Sequence, residues 1–224
     1  SPEDIRACAD PRLRLEDFTG ARVWIGFDSA LKDDSASVAV VTVKNDILYM
    51  FSKSFMPRDS VARYAKLIPE YVQWLREGLL EATDGAIVDL ARIRDYIVEL
   101  HQLFQVDAVV IEQFAAGNLP SDLLRLGIKA EVAQKTARSF TPAALDLEAR
   151  IRNRLFRFDG NSHALWMLSN ACVERRVNGS LLPKKESEKS SQKIDVVDAA
   201  LLAMIPMLAQ PAAREPYMLI IGGR

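Results

Sequence analysis

The run VDAVVIE at 106–112 constrains this chain more than any other stretch. It is apolar at successive positions rather than alternate ones, so it predicts a strand covered on both faces, as strands in the parallel part of a sheet are. Such a strand needs helices above and below it. The run ends in a carboxylate, Glu112, and ligand sites in sheets of this kind lie beyond the C-terminal ends of the strands.

The rest of the chain supplies partners for that strand. RVWIGFD at 22–28, SVAVVTV at 37–43 and ILYMFSKSF at 47–55 are short β-branched and aromatic runs. Lys44, Asn45 and Asp46 separate the last two and suit a hairpin turn, so the three predict an antiparallel meander. Residues 59–77 read as helical, interrupted at Pro69 and stopped at Gly78. Asp89 caps a helix whose apolar face is Leu90, Ile93, Ile97, Leu100 and Phe104. Asn118 and Pro120 open a short helix ending at Gly127, IKAEVA at 128–133 reads as a strand, and Thr141-Pro142 opens a helix to about Leu155. A helix is expected over 163–176, a charged, Ser-rich loop over 183–193, and an apolar helix over 191–205. The order βββαα-β-α-β-α predicts one α/β domain, a mixed sheet with helices on its faces.

Composition narrows the class without naming an activity. Apolar residues make up 49% of 224, ordinary for a globular chain, and 29 Lys and Arg against 30 Asp and Glu leave no global charge for nucleic acid. Any such partner must meet a local patch. Two cysteines, Cys8 and Cys172, and two histidines, His101 and His163, form neither a disulfide framework nor a zinc site and fit a reducing compartment. No apolar run has the length of a membrane span, and the charged N-terminus is unlike a signal peptide. Its Ser-Pro start suggests part of a longer product. Residues 1–20 read as a lead-in, 21–210 as the folded domain and 211–224 as a tail.

The carboxylates carry the chemistry. Asp28 closes the first strand, Glu112 closes the buried strand, and Asp195 with Asp198 opens the apolar helix. If the first and central strands are neighbours, these acids converge at one edge of the sheet. Like charges at close range repel by roughly 4 kcal/mol per pair in a medium of intermediate dielectric, so a cation is needed among them. All-oxygen ligands select Mg²⁺ or Mn²⁺, and a pair of such ions activates water against a phosphodiester. Each acid also has a plainer reading: Asp195 as a helix cap, Asp28 as a turn former, Glu112 as a solvated strand end.

Together these segments resemble the nuclease domain of tailed-bacteriophage terminase large subunits, a ribonuclease H-like fold. WIGFDSALKDDSASVAVV, with Asp28 and Asp34, is similar to the family's first acidic motif, VVIEQF to its second, GNSHALWMLSNACV to the segment before a basic loop, and KIDVVDAALLA to its last acidic motif. Many relatives carry Asp where Glu112 stands. The resemblance implies a metal-dependent endonuclease on double-stranded DNA with little sequence specificity, in which Asp28, Glu112 and Asp195 are catalytic and, with Asp198, hold two Mg²⁺ or Mn²⁺ ions. It implies as partners a terminase ATPase domain, a portal and a small terminase subunit, with no membrane, in the cytoplasm of an infected bacterium. A GxxxxGK[ST] loop of such an ATPase is absent from this sequence.

The C-terminal third gathers basic residues: Arg150, Arg152, Arg154, Arg157, Arg175, Arg176, Lys184, Lys185, Lys189 and Lys193. Of these, Lys184, Lys185, Lys189, Lys193, Arg152 and Arg154 are the candidate phosphate contacts. Two other classes stay open: an actin- or sugar-kinase-like nucleotide-binding domain, which normally needs two such halves and glycine-rich phosphate turns, and a non-catalytic nuclease relative used for docking.

Overall fold

The computed structural model describes residues 1–29, 35–175, 181–185 and 193–209. The strands are β1 (Arg22–Ser29), β2 (Ala36–Lys44), β3 (Ile47–Pro57), β4 (Leu80–Thr83), β5 (Gln105–Glu112), β6 (Ala130–Ala133), β7 (Phe156–Phe158), β8 (Ala171–Arg175) and β9 (Leu181–Lys185). The helices are α1 (Pro2–Arg6), α2 (Arg58–Tyr64), α3 (Glu70–Arg76), α4 (Leu90–Leu103), α5 (Leu119–Arg125), α6 (Ala137–Arg152), α7 (Ser162–Asn170) and α8 (Asp195–Ala209).

A seven-stranded sheet runs β4-β3-β2-β1-β5-β6, with β7 paired to β3. The meander β1-β2-β3 is antiparallel, and Asn45 and Asp46, both with positive φ, make the tight turn between β2 and β3. β5 lies parallel to β1 and β6 parallel to β5, while β4 is parallel to β3. β1, β3, β4, β5 and β6 therefore share one C-terminal edge, where Asp28 and Glu112 stand.

Helices cover both faces. α6, α7 and α8 pack on one side through Phe140, Met167 and Leu201 against Trp24, Met50 and Val110. α4 and α5 pack on the other through Ile93, Ile97 and Leu123 against Ile25, Phe27 and Ile111. The uniform apolarity of α8 follows from its place, since residues 195–204 are buried between the sheet and its neighbouring helices. Among the described residues no helix is long and apolar enough to cross a membrane.

Four segments differ from the expectations above. α6 begins at Ala137 rather than Thr141, because the Thr136 hydroxyl accepts from the Ser139 amide and Ser139 answers at the Thr136 amide; this capping box outweighs Pro142, which sits inside the helix. α7 ends at Asn170, and 171–175 pair as β8 with β9 instead of continuing the helix. β9 is anchored through Thr141, whose hydroxyl takes the Leu181 amide at 2.8 Å and donates to the Leu181 carbonyl at 3.1 Å, so the expected loop at 183–193 begins as a strand. Residues 1–20 bring Cys8 and Phe18 into the two cores, and Ala9 bridges to Phe158. Residues 211–224 lie outside the described residues.

Candidate active site

Asp28 and Glu112 end neighbouring parallel strands, one step beyond the Phe27–Ile111 pairing. Alternation along each strand settles their direction. Trp24 and Val110 belong to the core under α8, so Asp28 and Glu112 project to that same face. α8 enters over this point with Asp195 at its first position and Asp198 three residues later, on the same side of the helix. The approach is close because β1 carries Gly26: a Cβ there would stand 1.8 Å from the Ala199 carbonyl oxygen.

All four acids are buried, from 7% exposure for Asp28 to 1% for Asp198. The Ser35 hydroxyl donates to Asp195 Oδ2, the Phe114 amide donates to Glu112 Oε2 at 2.7 Å, and the Lys135 ammonium pairs with Asp198 Oδ2. Burial, then the charges of Asp198 and Asp195, hold the Asp28 carboxyl well above the usual carboxylate range, with Lys135 opposing and Glu112 adding to the effect. Burial works against the charge on Lys135, yet the attraction of Asp198 and Asp28 carries its pKa above the ordinary lysine value.

Among the described residues no group of three or more Asp, Glu, His or Cys side chains is arranged to hold a metal ion. In its chemistry the donor set suits a hard divalent cation: every acid offers oxygen, all four lie toward one end of the sheet, and burial together with the charge of its neighbours raises Asp28. Asp28, Glu112 and Asp195 would hold such an ion, with Asp198 beside them.

Residues 6–211 match the family described as "Terminase large subunit, endonuclease domain". The chain belongs to that family. Protein YmfN of Escherichia coli (strain K12) is 25% identical over 209 residues, which are 89% of this chain and 46% of YmfN. The HK97 bacteriophage large terminase superposes with a TM-score of 0.79 at 20% identity, covering 92% of this chain and 43% of that one. The large terminase nuclease from thermophilic phage G20c with bound magnesium gives 0.52 at 14% identity, covering 81% of this chain and 79% of that one. The fold of this terminase nuclease is thus ribonuclease H-like. The chain spans less than half the length of YmfN and of the HK97 protein.

The basic residues expected around the terminase acids divide sharply. Lys193 is buried at 4% exposure, its ammonium donating to the Tyr64 hydroxyl at 3.0 Å and lying 4.6 Å from the ring centroid, so it faces inward rather than toward a phosphate. Arg152 pairs with Glu148 at 2.6 Å and Arg154 with Asp4 at 3.0 Å, both at the far end of α6. That helix has 16 residues and so spans about 24 Å, which puts them near the opposite edge of the sheet from the acids. Lys184 and Lys185 fall in β9 opposite Cys172 and Ala171, and Lys189 and Asp34 lie outside the described residues.

Other cations stand at the acidic edge. Arg58, which pairs with Asp84 at 3.2 Å, Arg63 and Lys66 are on or just beyond α2, which follows the C-terminal end of β3, and Arg138 lies in the first turn of α6. Phe114, 72% exposed, follows Glu112 by two residues. The sequence reading singled out neither these residues nor Lys135. The available signal was position: each follows a strand end in the parallel part of the sheet.

Proposed function

We propose that this terminase nuclease is a metal-dependent endonuclease that cuts double-stranded DNA with little sequence preference, as the genome-cutting part of a viral packaging machine. The observation that carries the reading is the convergence of four buried carboxylates from β1, β5 and α8 on one sheet edge, with Asp28 raised by burial and by the charge of the others. The magnesium in the G20c relative's crystal supports Mg²⁺ or Mn²⁺ as the ion. Two such ions supply an activated water and stabilise the leaving oxygen of a phosphodiester.

The chain's own residues do the positioning. Asp28 lies within electrostatic reach of the other three acids and would hold the ions together with Glu112 and Asp195. The Ser35 hydroxyl and the Phe114 amide orient Asp195 and Glu112, as outer partners orient metal ligands generally. Arg58, Arg63, Lys66 and Arg138 offer phosphate contacts on the same edge, and such contacts place DNA without reading bases. Lys184, Lys185 and Lys189 remain candidates for the same role. An ATPase domain, a portal and a small terminase subunit are the partners we propose, in the cytoplasm of an infected bacterium.

Incubation of supercoiled plasmid with the chain and Mn²⁺ tests this. Conversion to nicked and linear forms is expected, and its loss in Asp28→Asn. Persistent supercoiled DNA with folded protein across Mg²⁺, Mn²⁺ and a range of pH would contradict it.

A further inference from the structure

Lys135 stands on the short connection between the last residues of β6 and Thr136, the cap of α6, at the same sheet edge as the acids. Its side chain is 31% exposed, yet its ammonium reaches inward to Asp198 Oδ2 on a side chain only 1% exposed. The two residues are 63 positions apart, so the contact belongs to the tertiary fold and not to a local turn. An ammonium carries one charge as a compact point on a flexible stem, which suits it to yield its place to a smaller, doubly charged ion.

We propose that Lys135 is a built-in counter-ion of the acidic centre: it holds Asp198 in the metal-free protein, a divalent cation displaces it, and this competition sets the centre's metal affinity. The inference rests on the metal-site reading above. Four carboxylates gathered at a buried edge repel one another, and the Lys135 ammonium on Asp198 offsets part of that repulsion. The same contact opposes metal entry twice, because Asp198 must be released and because a positive charge beside the ion lowers its binding. Removing the charge should therefore weaken the metal-free fold and strengthen metal binding, opposite signs that a merely structural ion pair does not produce.

Titration calorimetry with MnCl₂ alone, and melting curves with and without Mn²⁺, on the unaltered chain, Lys135→Met and Lys135→Arg decide this. Lys135→Met should bind Mn²⁺ roughly tenfold more tightly, a change of about 1.4 kcal/mol. It should also melt lower without metal and gain more on adding it. Lys135→Arg, which keeps the charge, should stay close to the unaltered chain in affinity. If Lys135→Met does not fold, Lys135→Gln, which keeps a donor to Asp198 without the charge, carries the same expectation. An unchanged or weaker Mn²⁺ affinity in the neutral variant, with normal binding by the unaltered chain, overturns the counter-ion role alone. Failure of the unaltered chain to bind Mn²⁺ overturns the metal-site reading and this inference with it.

Discussion

Gly26 lies directly beneath Ala199, so that strand β1 and helix α8 meet backbone to backbone: a Cβ on Gly26 would fall 1.8 Å from the Ala199 carbonyl oxygen and 2.8 Å from the Ala203 amide nitrogen. This approach sets how closely the helix bearing Asp195 and Asp198 comes to the strand bearing Asp28. The clash is with backbone, which cannot swing aside as a side chain can. Gly26→Ala should therefore destabilise the protein by about 1–3 kcal/mol or more and push α8 outward. A denaturant melt measures the loss. Plasmid nicking by the folded fraction should fall with it, because the acids on the two elements separate.

Asp195→Asn distinguishes a metal ligand from a helix cap. Asp195 adds to the charge that raises the Asp28 carboxyl above its ordinary range, so neutralising it relieves repulsion in the metal-free protein. Melting temperature without metal should hold or rise while Mn²⁺-dependent nicking disappears. A cap predicts the reverse, a loss of up to about 1 kcal/mol with activity kept. Asp198→Asn should also abolish nicking, but it removes the charge that Lys135 pairs with, so its melting temperature without metal should fall.

The cations should separate by edge. Replacing Arg58, Arg63 and Lys66 by Ala should weaken DNA binding and reduce the slope of log affinity against log salt, by about one for each phosphate that is no longer neutralised. Arg152→Ala and Arg154→Ala should leave that slope unchanged, since both stand at the end of α6 away from the acids. Lys193→Ala should act through the fold instead, lowering the melting temperature by removing the ammonium from Tyr64 while leaving the salt slope intact. Filter binding across a salt series, alongside melting curves, reads all three.

His163 gives the protein an acid-sensitive core. It is 1% exposed among Tyr71, Trp74 and Trp166, its Nε2 has no hydrogen-bond partner among the described residues, and burial pushes its pKa from the ordinary 6.5 down to about 3. The unfolded chain binds a proton between those two values and the folded chain does not. Stability from this group is thus complete above about pH 6.5 and is lost as the pH falls from there toward 3, at a slope of up to about 1.4 kcal/mol per unit. His163→Phe, which keeps an aromatic ring in the cluster, should flatten that slope in melts from pH 7 to 4.

How much of the fold and site was legible in the sequence depended on element length and on the range of each interaction. β1, β2, β3 and β5, each eight or more residues, show their apolar patterns openly, and Asp28 and Glu112 are readable because they close such runs. β4, β7, β8 and β9 have three to five residues, too few for a period to emerge, and exist through pairing with other segments. Asp195 and Asp198 stood out as charges in an apolar helix. Lys135 did not, since an isolated lysine after a four-residue strand has no local mark of its pairing with Asp198. Lys193 misled for the same reason: beside Lys189 and Lys185 it resembles a solvated loop charge, while its contact with Tyr64, 129 residues away in sequence, has no local mark.

That Asp28, Glu112 and Asp195 form one metal site is tested most directly by crystals soaked in MnCl₂ and measured for manganese anomalous scattering. Anomalous density is predicted between these three carboxylates, next to Asp198, and should disappear in crystals of Asp28→Asn. Well-ordered crystals of the unaltered chain with no anomalous density at that edge, after soaks that saturate known manganese sites in a control protein, would contradict it.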